Sequence, residues 1–324
     1  MNVESVAFVD ETAKIEYERQ RKRKKIVKTV KQDVIGWLMG GWPFIGAMIF
    51  GFVPSILGYV LPFMELHNFD YSQMKFVGFK NFEWLLFHEN SMFWLAIKNS
   101  LYYTVSVPIY MAIALFVAVQ LDKNIKGTGT FRVIMFLPTF VSGVAMSIFW
   151  QFMFDKTGGI NSIFGLFGVD PIDFLDHELW FMPSVIFTGT WGACANSVLF
   201  QAALANVDIS MKEAARLDGA TERQTFWKIT FSLISPTTFY QLLMSLVGAL
   251  QVFTSLQLMA RTDTGPNGAA VSVVLYMNNM AYRWTGPDYG LGMAGACGLL
   301  YQTLLVALTL IIFKTKKKWV HDND

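Results

Sequence analysis

The sequence predicts an all-α integral membrane protein with six transmembrane helices and both termini in the cytoplasm, and three observations carry that expectation. Of its 324 residues, 53% are hydrophobic and only 15% charged, the reverse of the balance in a soluble chain of this length. Six windows hold no charged residue at all: 34–64, 99–121, 133–154, 179–207, 229–260 and 289–313. Each exceeds the roughly 18–20 apolar residues that a helix needs to cross a hydrocarbon core of ~30 Å. None alternates apolar and polar residues with period two, so barrel strands are excluded and helices remain. The third observation is the placing of lysine and arginine. With six spans, both termini and the second and fourth loops share one face, and that face receives 20 of the 26 basic residues. The positive-inside rule makes it cytoplasmic.

Residues 1–33 form a polar, basic tail that holds Lys14, Arg19, Arg21, Lys22, Arg23, Lys24, Lys25, Lys28 and Lys31. It has no apolar core followed by a small-residue cleavage site, so the first span is expected to act as its own insertion signal. Pro43, Pro54 and Pro62 punctuate the first window, which is longer than one crossing requires. The outer loops 65–98 and 155–178 are long enough for interfacial helices. The second of them carries Asp155, Asp170, Asp173, Asp176 and Glu178, which lack the loop spacing of an EF-hand and read as a solvated acidic face. Segment 261–288 is placed outside as a loop with a surface helix, because a seventh span would send the C-terminus to the wrong side. Lys314, Lys316, Lys317 and Lys318 open a basic C-terminal tail over 316–324. Cys194 and Cys297 both fall inside spans, which gives no disulfide framework. The basic excess faces anionic headgroups, so nucleic acid is an unnecessary partner.

The fourth loop, 208–230 within a membrane domain spanning 34–315, interrupts the apolar pattern with KEAARLDGATERQTFWKI. Ser210 followed by Glu213, and Thr221 followed by Gln224, both match the capping-box spacing, and Asp218-Gly219 between them supplies a helix stop. A short helix, a sharp turn and a second helix are expected, forming a projection larger than a minimal connection needs.

The EAA of Glu213, Ala214 and Ala215, followed by Asp218, Gly219, Ala220, Phe226 and Ile229, resembles the EAA motif of permease subunits in bacterial ATP-binding-cassette importers. FVGFKNF (76–82), AIKNSL (96–101), Arg132, Pro138 and GGIN (158–161) fall in the order seen in the carbohydrate-uptake branch, including maltose and other oligosaccharide permeases. Ser232 stands where those proteins commonly have a proline, while Pro236 keeps a later one. The resemblance implies an importer permease fold in the bacterial cytoplasmic membrane. Its loop, through Glu213, Ala214, Ala215, Arg216, Asp218, Gly219 and Ala220, would sit in a groove of a cytoplasmic ATPase. A second homologous permease, two ATPase subunits forming a homodimer, and an extracellular or periplasmic sugar-binding protein would complete the assembly. Mg-ATP belongs to the ATPases, because this chain has no Gly-Lys pair from which a phosphate-cradling loop could be drawn. The chain itself is expected to be non-catalytic.

The confident cores of the spans contain no ionisable side chain, which argues against a proton-coupled pump. Their polar groups are uncharged: Asn196, Gln201, Gln241, Ser245, Gln251, Ser255 and Gln257, with Trp191 near the first. Amides, hydroxyls and aromatic faces suit sugars, and equally serve as hydrogen bonds between helices. By position relative to the motif, the resemblance selects Trp191, Gly192, Asn196, Ser245, Ala249 and Gln251 as the substrate path. The overall pattern is similar to permeases for larger or acidic oligosaccharides, the alginate-uptake system among them. An integral-membrane enzyme is disfavoured because His67, His88, His177 and His321 lie outside the spans and no carboxylate pair or Cys/His cluster sits within one. An exporter or scaffold component is the remaining alternative.

Overall fold

The computed structural model describes residues 3–67, 70, 72, 74–122, 127–286, 288–316 and 320, with side chains for all of these except 3–15, 17 and 18. Lys123, Lys126, Lys317, Lys318 and His321 therefore lie outside the described residues, as does the side chain of Lys14. The described chain is mostly helical. Its only strands among those residues are the two-residue pair β1 (Met64–Glu65) and β2 (Lys75–Phe76), antiparallel with Met64 opposite Phe76.

Residues 1–60 form one unit and 61–324 another. The first is α1 (Val3–Ala47), a π-helical turn at Met48–Phe52, and α2 (Val53–Val60). Pro43 lies inside α1 without ending it. Helix runs from Arg19 to Phe63 as a membrane-crossing candidate of 45 residues, about 68 Å at 1.5 Å per residue and more than twice the hydrocarbon thickness. The basic stretch 19–33 is thus helical and continuous with the apolar one.

The second unit contains α3 (Lys80–Phe87), α4 (Phe93–Tyr103), α5 (Ser106–Asp122), α6 (Thr128–Phe136), α7 (Gly143–Met153), α8 (Gly159–Gly165), α9 (Glu178–Ala193), α10 (Ser197–Ala205), α11 (Ile209–Leu217), α12 (Glu222–Thr225), α13 (Phe231–Leu233), α14 (Ser235–Leu250), α15 (Thr254–Met259), α16 (Val273–Tyr282) and α17 (Leu291–Lys316). In α5, Ala114 and Ala118 lie one turn apart and are fully buried against Phe200 and Leu204, also one turn apart on α10. Small residues opposite large ones let the two helices approach closely. A second core joins Phe93, Tyr276, Cys297 and Tyr301 across α4, α16 and α17. A third gathers Phe174, Phe181, Val185 and Leu256.

Among the described residues three helical segments are long and apolar enough to cross a membrane: Arg19–Phe63, Phe93–Asp122 and Leu291–Lys316. The count reaches five if each of two bent pairs is one span. Window 133–154 is one such pair, with helix before and after a 102° bend. Leu137–Phe140 is a 3-10 turn, Val141 is extended, and Ser142 accepts the Ala145 N–H to start α7. Window 229–260 is also not one helix. It bends by 69° near Ile234 and breaks again before α15.

The first of these bends follows from Pro236. A proline cannot donate to the carbonyl four residues back, and its ring crowds that carbonyl. Here the carbonyl is that of Ser232, and the Ser235 hydroxyl donates to it at 2.6 Å instead. Ser232 thus contributes its carbonyl to the bend. Window 179–207 is split by a 3-10 turn at Cys194–Asn196 and is not among the three long helices.

Segment 261–288 departs from the surface helix expected of it. Its helix α16 is a core element, with Val273, Tyr276 and Asn279 at 0% exposure. These residues recur at helical spacing on a face that packs against α4 and α17.

Candidate functional site

The 208–230 loop folds as its local signals direct, with one change. Asp208, not Ser210, is the N-cap of α11: its carboxylate accepts the Ser210 N–H at 2.9 Å. The Ser210–Glu213 box is therefore not formed, because an acceptor two residues earlier starts the helix first and leaves Ser210 inside it. These hydrogen bonds from Ser210, backbone first, hold the Asp208 carboxyl below its ordinary value. The Thr221–Gln224 box is formed in both directions.

Between the two helices Gly219 has φ +83°, and the chain closes with Ala220 N–H donating to Ala215 O at 2.9 Å and Gly219 N–H to Arg216 O at 3.1 Å. This is the paired bonding of a Schellman stop. Arg216 crosses the turn to Glu222 at 2.8 Å.

The exposed side of α11 is not that of an ordinary solvated helix. Leu217 is 90% exposed and Ile209 67%, two large apolar side chains eight residues apart on one helical face. Glu213 lies between them, exposed and with no side-chain partner among the described residues. Its carboxylate does not cap its own helix. Ala214, Asp218 and Gly219 are exposed too, while Ala215 faces inward and Ala220 is half-buried. All seven residues selected for this loop fall on one helix and its turn.

The substrate-path residues divide differently. Trp191 and Gly192 end α9 just before the 3-10 break, Asn196 closes that break, and Gln251 stands at the C-cap of α14. Both groups thus sit at interruptions of apolar helices, and α10 packs against α14. The Trp191 indole N–H donates to Ile134 O at 3.3 Å. Ala249 is buried in a core, Ser245 half-buried, and Gly192, Asn196 and Gln251 are exposed. A Cβ at Gly192 or Gly248 would meet nothing within 4 Å. Tight packing within this chain therefore does not account for either glycine.

The break after α14 frees carbonyls that an apolar setting cannot leave unpaired. Tyr301 OH donates to Leu250 O at 2.5 Å, and Ser272 Oγ to Val252 O at 2.7 Å. Gln251 and Val252 are held out of the helix ladder by groups from distant parts of the chain.

Sequence reasoning missed the work done by the asparagines of the ordered motifs. Asn81 donates to Pro62 O and Met64 O at 2.8 and 3.0 Å. Asn99 donates to Gly268 O and Val271 O at 2.9 and 3.0 Å. Asn161 donates to Asp155 O and Ile172 O and accepts from Ile172 N–H. Each buried amide ties a helix to an irregular segment through backbone atoms alone. The signal available was that FVGFKNF, AIKNSL and GGIN each place one amide amid apolar residues. Close by Asn81, a Cβ on Gly292 would lie 1.9 Å from Met64 O, so only glycine lets α17 pass β1 there.

On the side taken as outer, the acidic loop is knitted to the segment after α15. Arg261 pairs with Asp155 at 2.6 Å and Asp176 at 2.5 Å, and Asn267 donates to Glu178 at 2.8 Å, while within the loop Lys156 pairs with Asp173 at 2.8 Å. The Thr157 backbone N–H, followed by its hydroxyl and the Arg261 charge, lowers the Asp155 carboxyl from its ordinary 3.8 despite the opposing effect of desolvation.

Residues 110–315 match the family described as binding-protein-dependent transport system inner membrane component. The chain is 29% identical over 297 residues to the Bacillus subtilis (strain 168) protein described as probable ABC transporter permease protein YesP, covering 87% of this chain and 92% of that one. It is 30% identical over 257 residues to the lactose transport system permease protein LacF of Rhizobium radiobacter, covering 78% and 85%. Its fold matches a chain of a bacterial alginate ABC transporter, solved in complex with an alginate pentasaccharide-bound periplasmic protein. The TM-score is 0.74 at 23% identity, over 90% of this chain and 96% of that one. With the family pattern spanning 206 of 324 residues and the permease fold continuous beyond it, the chain belongs to the binding-protein-dependent transport system inner membrane components, a family of transport permeases.

Proposed function

We propose that this chain is one of two homologous membrane subunits of an ATP-driven oligosaccharide importer, and that 208–230 is its coupling loop. Six crossings with both termini and this loop in the cytoplasm follow from the basic asymmetry, the two bent pairs counting as spans and 179–207 supplying the sixth. The observation that carries the reading is α11 itself. It is a capped, turn-locked helix that presents Leu217, Glu213 and Ile209 to solvent. Exposed apolar side chains flanking a free carboxylate suit the groove of a partner better than water. The partner is a cytoplasmic ATPase pair that binds Mg-ATP. Relatives named for lactose and arabinooligosaccharides, with alginate-transporter chains as structural neighbours, support an oligosaccharide substrate delivered by a solute-binding protein.

The path runs past the two helix interruptions. Trp191, Gly192 and Asn196 lie at one, Ala249 and Gln251 at the other, and Ser245 lies one to two turns earlier on α14. Broken helices at membrane depth are tolerated where they line a cavity, and there they expose backbone groups to a ligand. Uncharged amides and an indole face match hydroxyl-rich rings.

Gentle purification of the tagged chain from its own membrane tests the proposal. Co-purification of an ATPase and a second permease, with hydrolysis stimulated by one sugar-loaded binding protein, is the expected result. A chain that emerges alone where other membrane complexes survive, without associated hydrolysis, would overturn it.

A further inference from the structure

We infer that a cleft beneath the 208–230 loop binds the headgroup of an anionic phospholipid, an assignment that rests on reading this loop as cytoplasmic and adjacent to the membrane. The cleft has a volume of about 330 Å³ and lies where the ends of α5 and α10 meet α11, α12 and the π-helical turn Phe226–Thr230. Its apolar walls are Val119 and Leu204 from the ends of two membrane helices, with Phe226 and Trp227 facing them from the loop.

Among the described residues three cations line the cleft: Lys212, Arg216 and Arg223. Two carboxylates, Asp122 and Glu222, line it as well, and Glu222 is already paired with Arg216. Lys212 and Arg223 have no carboxylate partner among the described residues, and the described lining carries one net positive charge. A phosphodiester with a single negative charge balances it, whereas a phosphate monoester near two charges would face the acids uncompensated. Thr225 adds a hydroxyl. The residue is 6% exposed, lines the cleft, and its Oγ1 has no hydrogen-bond partner among the described residues. A buried hydroxyl in that state is costly unless something accepts from it, and a phosphodiester oxygen would.

The apolar walls decide between a lipid and a soluble anion. A dissolved phosphate gains nothing from Val119, Leu204 or the Trp227 ring, which is 54% exposed. The first carbons of an acyl chain do, and indole rings settle at headgroup depth. Basic pockets between helix ends on the cytoplasmic side bind acidic headgroups. Bound there, the lipid would hold α11 against the span ends and tie the coupling loop to the bilayer.

The test uses the whole transporter as purified, placed in nanodiscs of phosphatidylcholine with rising phosphatidylglycerol. Native mass spectrometry counts the phosphatidylglycerol retained on this chain. Lys212→Gln and Arg223→Gln should each weaken its apparent affinity about fivefold, the change implied by ~1 kcal/mol per basic residue near an anionic surface. Thr225→Val, which conserves shape, should weaken it while leaving the co-purified ATPase in place. Lys98→Gln, on helix α4, should not. Unchanged phosphatidylglycerol affinity in the Lys212 and Arg223 variants would overturn the assignment. So would displacement of the lipid by inorganic phosphate or glycerol phosphate at concentrations equal to that of a short-chain phosphatidylglycerol, because the ligand would then be a soluble anion. If the wild-type chain brings no ATPase, the coupling reading fails while the lipid count still reports on the cleft.

Discussion

Gly219 is the residue on which the shape of the proposed coupling loop turns, and its replacement can be worked through. At φ +83° a side chain costs about 1–2 kcal/mol through the clash of its Cβ with the backbone. Nothing else lies within 4 Å of the position a Cβ would take, so no steric penalty from the rest of the protein is added. The whole effect of Gly219→Ala should fall on the two hydrogen bonds that close the turn, Ala220 N–H to Ala215 O and Gly219 N–H to Arg216 O. A loss of 1–2 kcal/mol lowers the ratio of closed to open turn about five- to thirtyfold. The membrane core, far along the chain, should keep its stability. The assay is ATP hydrolysed per sugar imported by the reconstituted transporter, with thermal stability measured alongside. Uptake should fall in the order Gly, Asn, Ala, Val, because asparagine tolerates the left-handed region better than alanine and a β-branched residue worst. An alanine variant indistinguishable from wild type, or an asparagine variant as impaired as valine, would refute the reasoning.

Other outcomes follow from the same geometry. Glu213→Ala should leave thermal stability unchanged, since its carboxylate has no side-chain partner among the described residues, yet reduce uptake while hydrolysis continues; normal uptake by a well-expressed variant would remove its proposed coupling role. Asn99→Ala removes the side-chain donor to Val271 O and leaves Gly268 O with only the Val271 N–H; it should destabilise the protein by about 1–3 kcal/mol, seen as a lowered unfolding midpoint in detergent. Ser235→Ala removes the donor that covers Ser232 O at the Pro236 bend and should lower the same midpoint by less, because the carbonyl lies at a partly accessible turn. The Asp155 carboxyl, lowered chiefly by the Thr157 backbone N–H, stabilises the folded state fully above its ordinary value of 3.8 and loses that contribution as pH falls through its lower folded value. A plot of unfolding midpoint against pH should therefore drop below pH 3.8 more steeply in wild type than in Asp155→Asn, which cannot titrate.

What could be read from the sequence was what is decided locally. The Thr221 box and the Gly219 stop need only residues within a few positions, and both form as read. Ser210 was misplaced by the same kind of logic, because Asp208 offers a nearer carboxylate to the same helix start. The charge-free windows marked apolar helix correctly, but not its continuity. The break at Gln251–Phe253 depends on Tyr301 and Ser272 supplying donors from 51 and 20 residues away, and no local pattern announces that. Segment 261–288 was assigned to a surface loop and helix because a seventh span would send the C-terminus to the wrong side. Its helix is instead buried by α4 and α17, with Asn99 and Ser100 binding the chain before it. Of the proposed sites, the coupling loop was legible as one contiguous motif. The substrate path was selected only by position relative to that motif, since uncharged polar residues in apolar helices look alike whether they meet a ligand or another helix.

The central claim is that α11 is a cytoplasmic docking helix for an ATPase, and a cysteine at Leu217 tests it most directly. The two native cysteines are buried, so labelling at an exposed new thiol stands out. In native membranes Leu217→Cys should resist a membrane-impermeant thiol reagent applied from outside and react when the cytoplasmic face is opened. A short bifunctional cross-linker from that thiol should then yield an adduct with an ATP-binding subunit. Labelling from the outer side, or cross-linking from the cytoplasmic side that captures no such subunit in an intact, transport-competent membrane, would contradict the account.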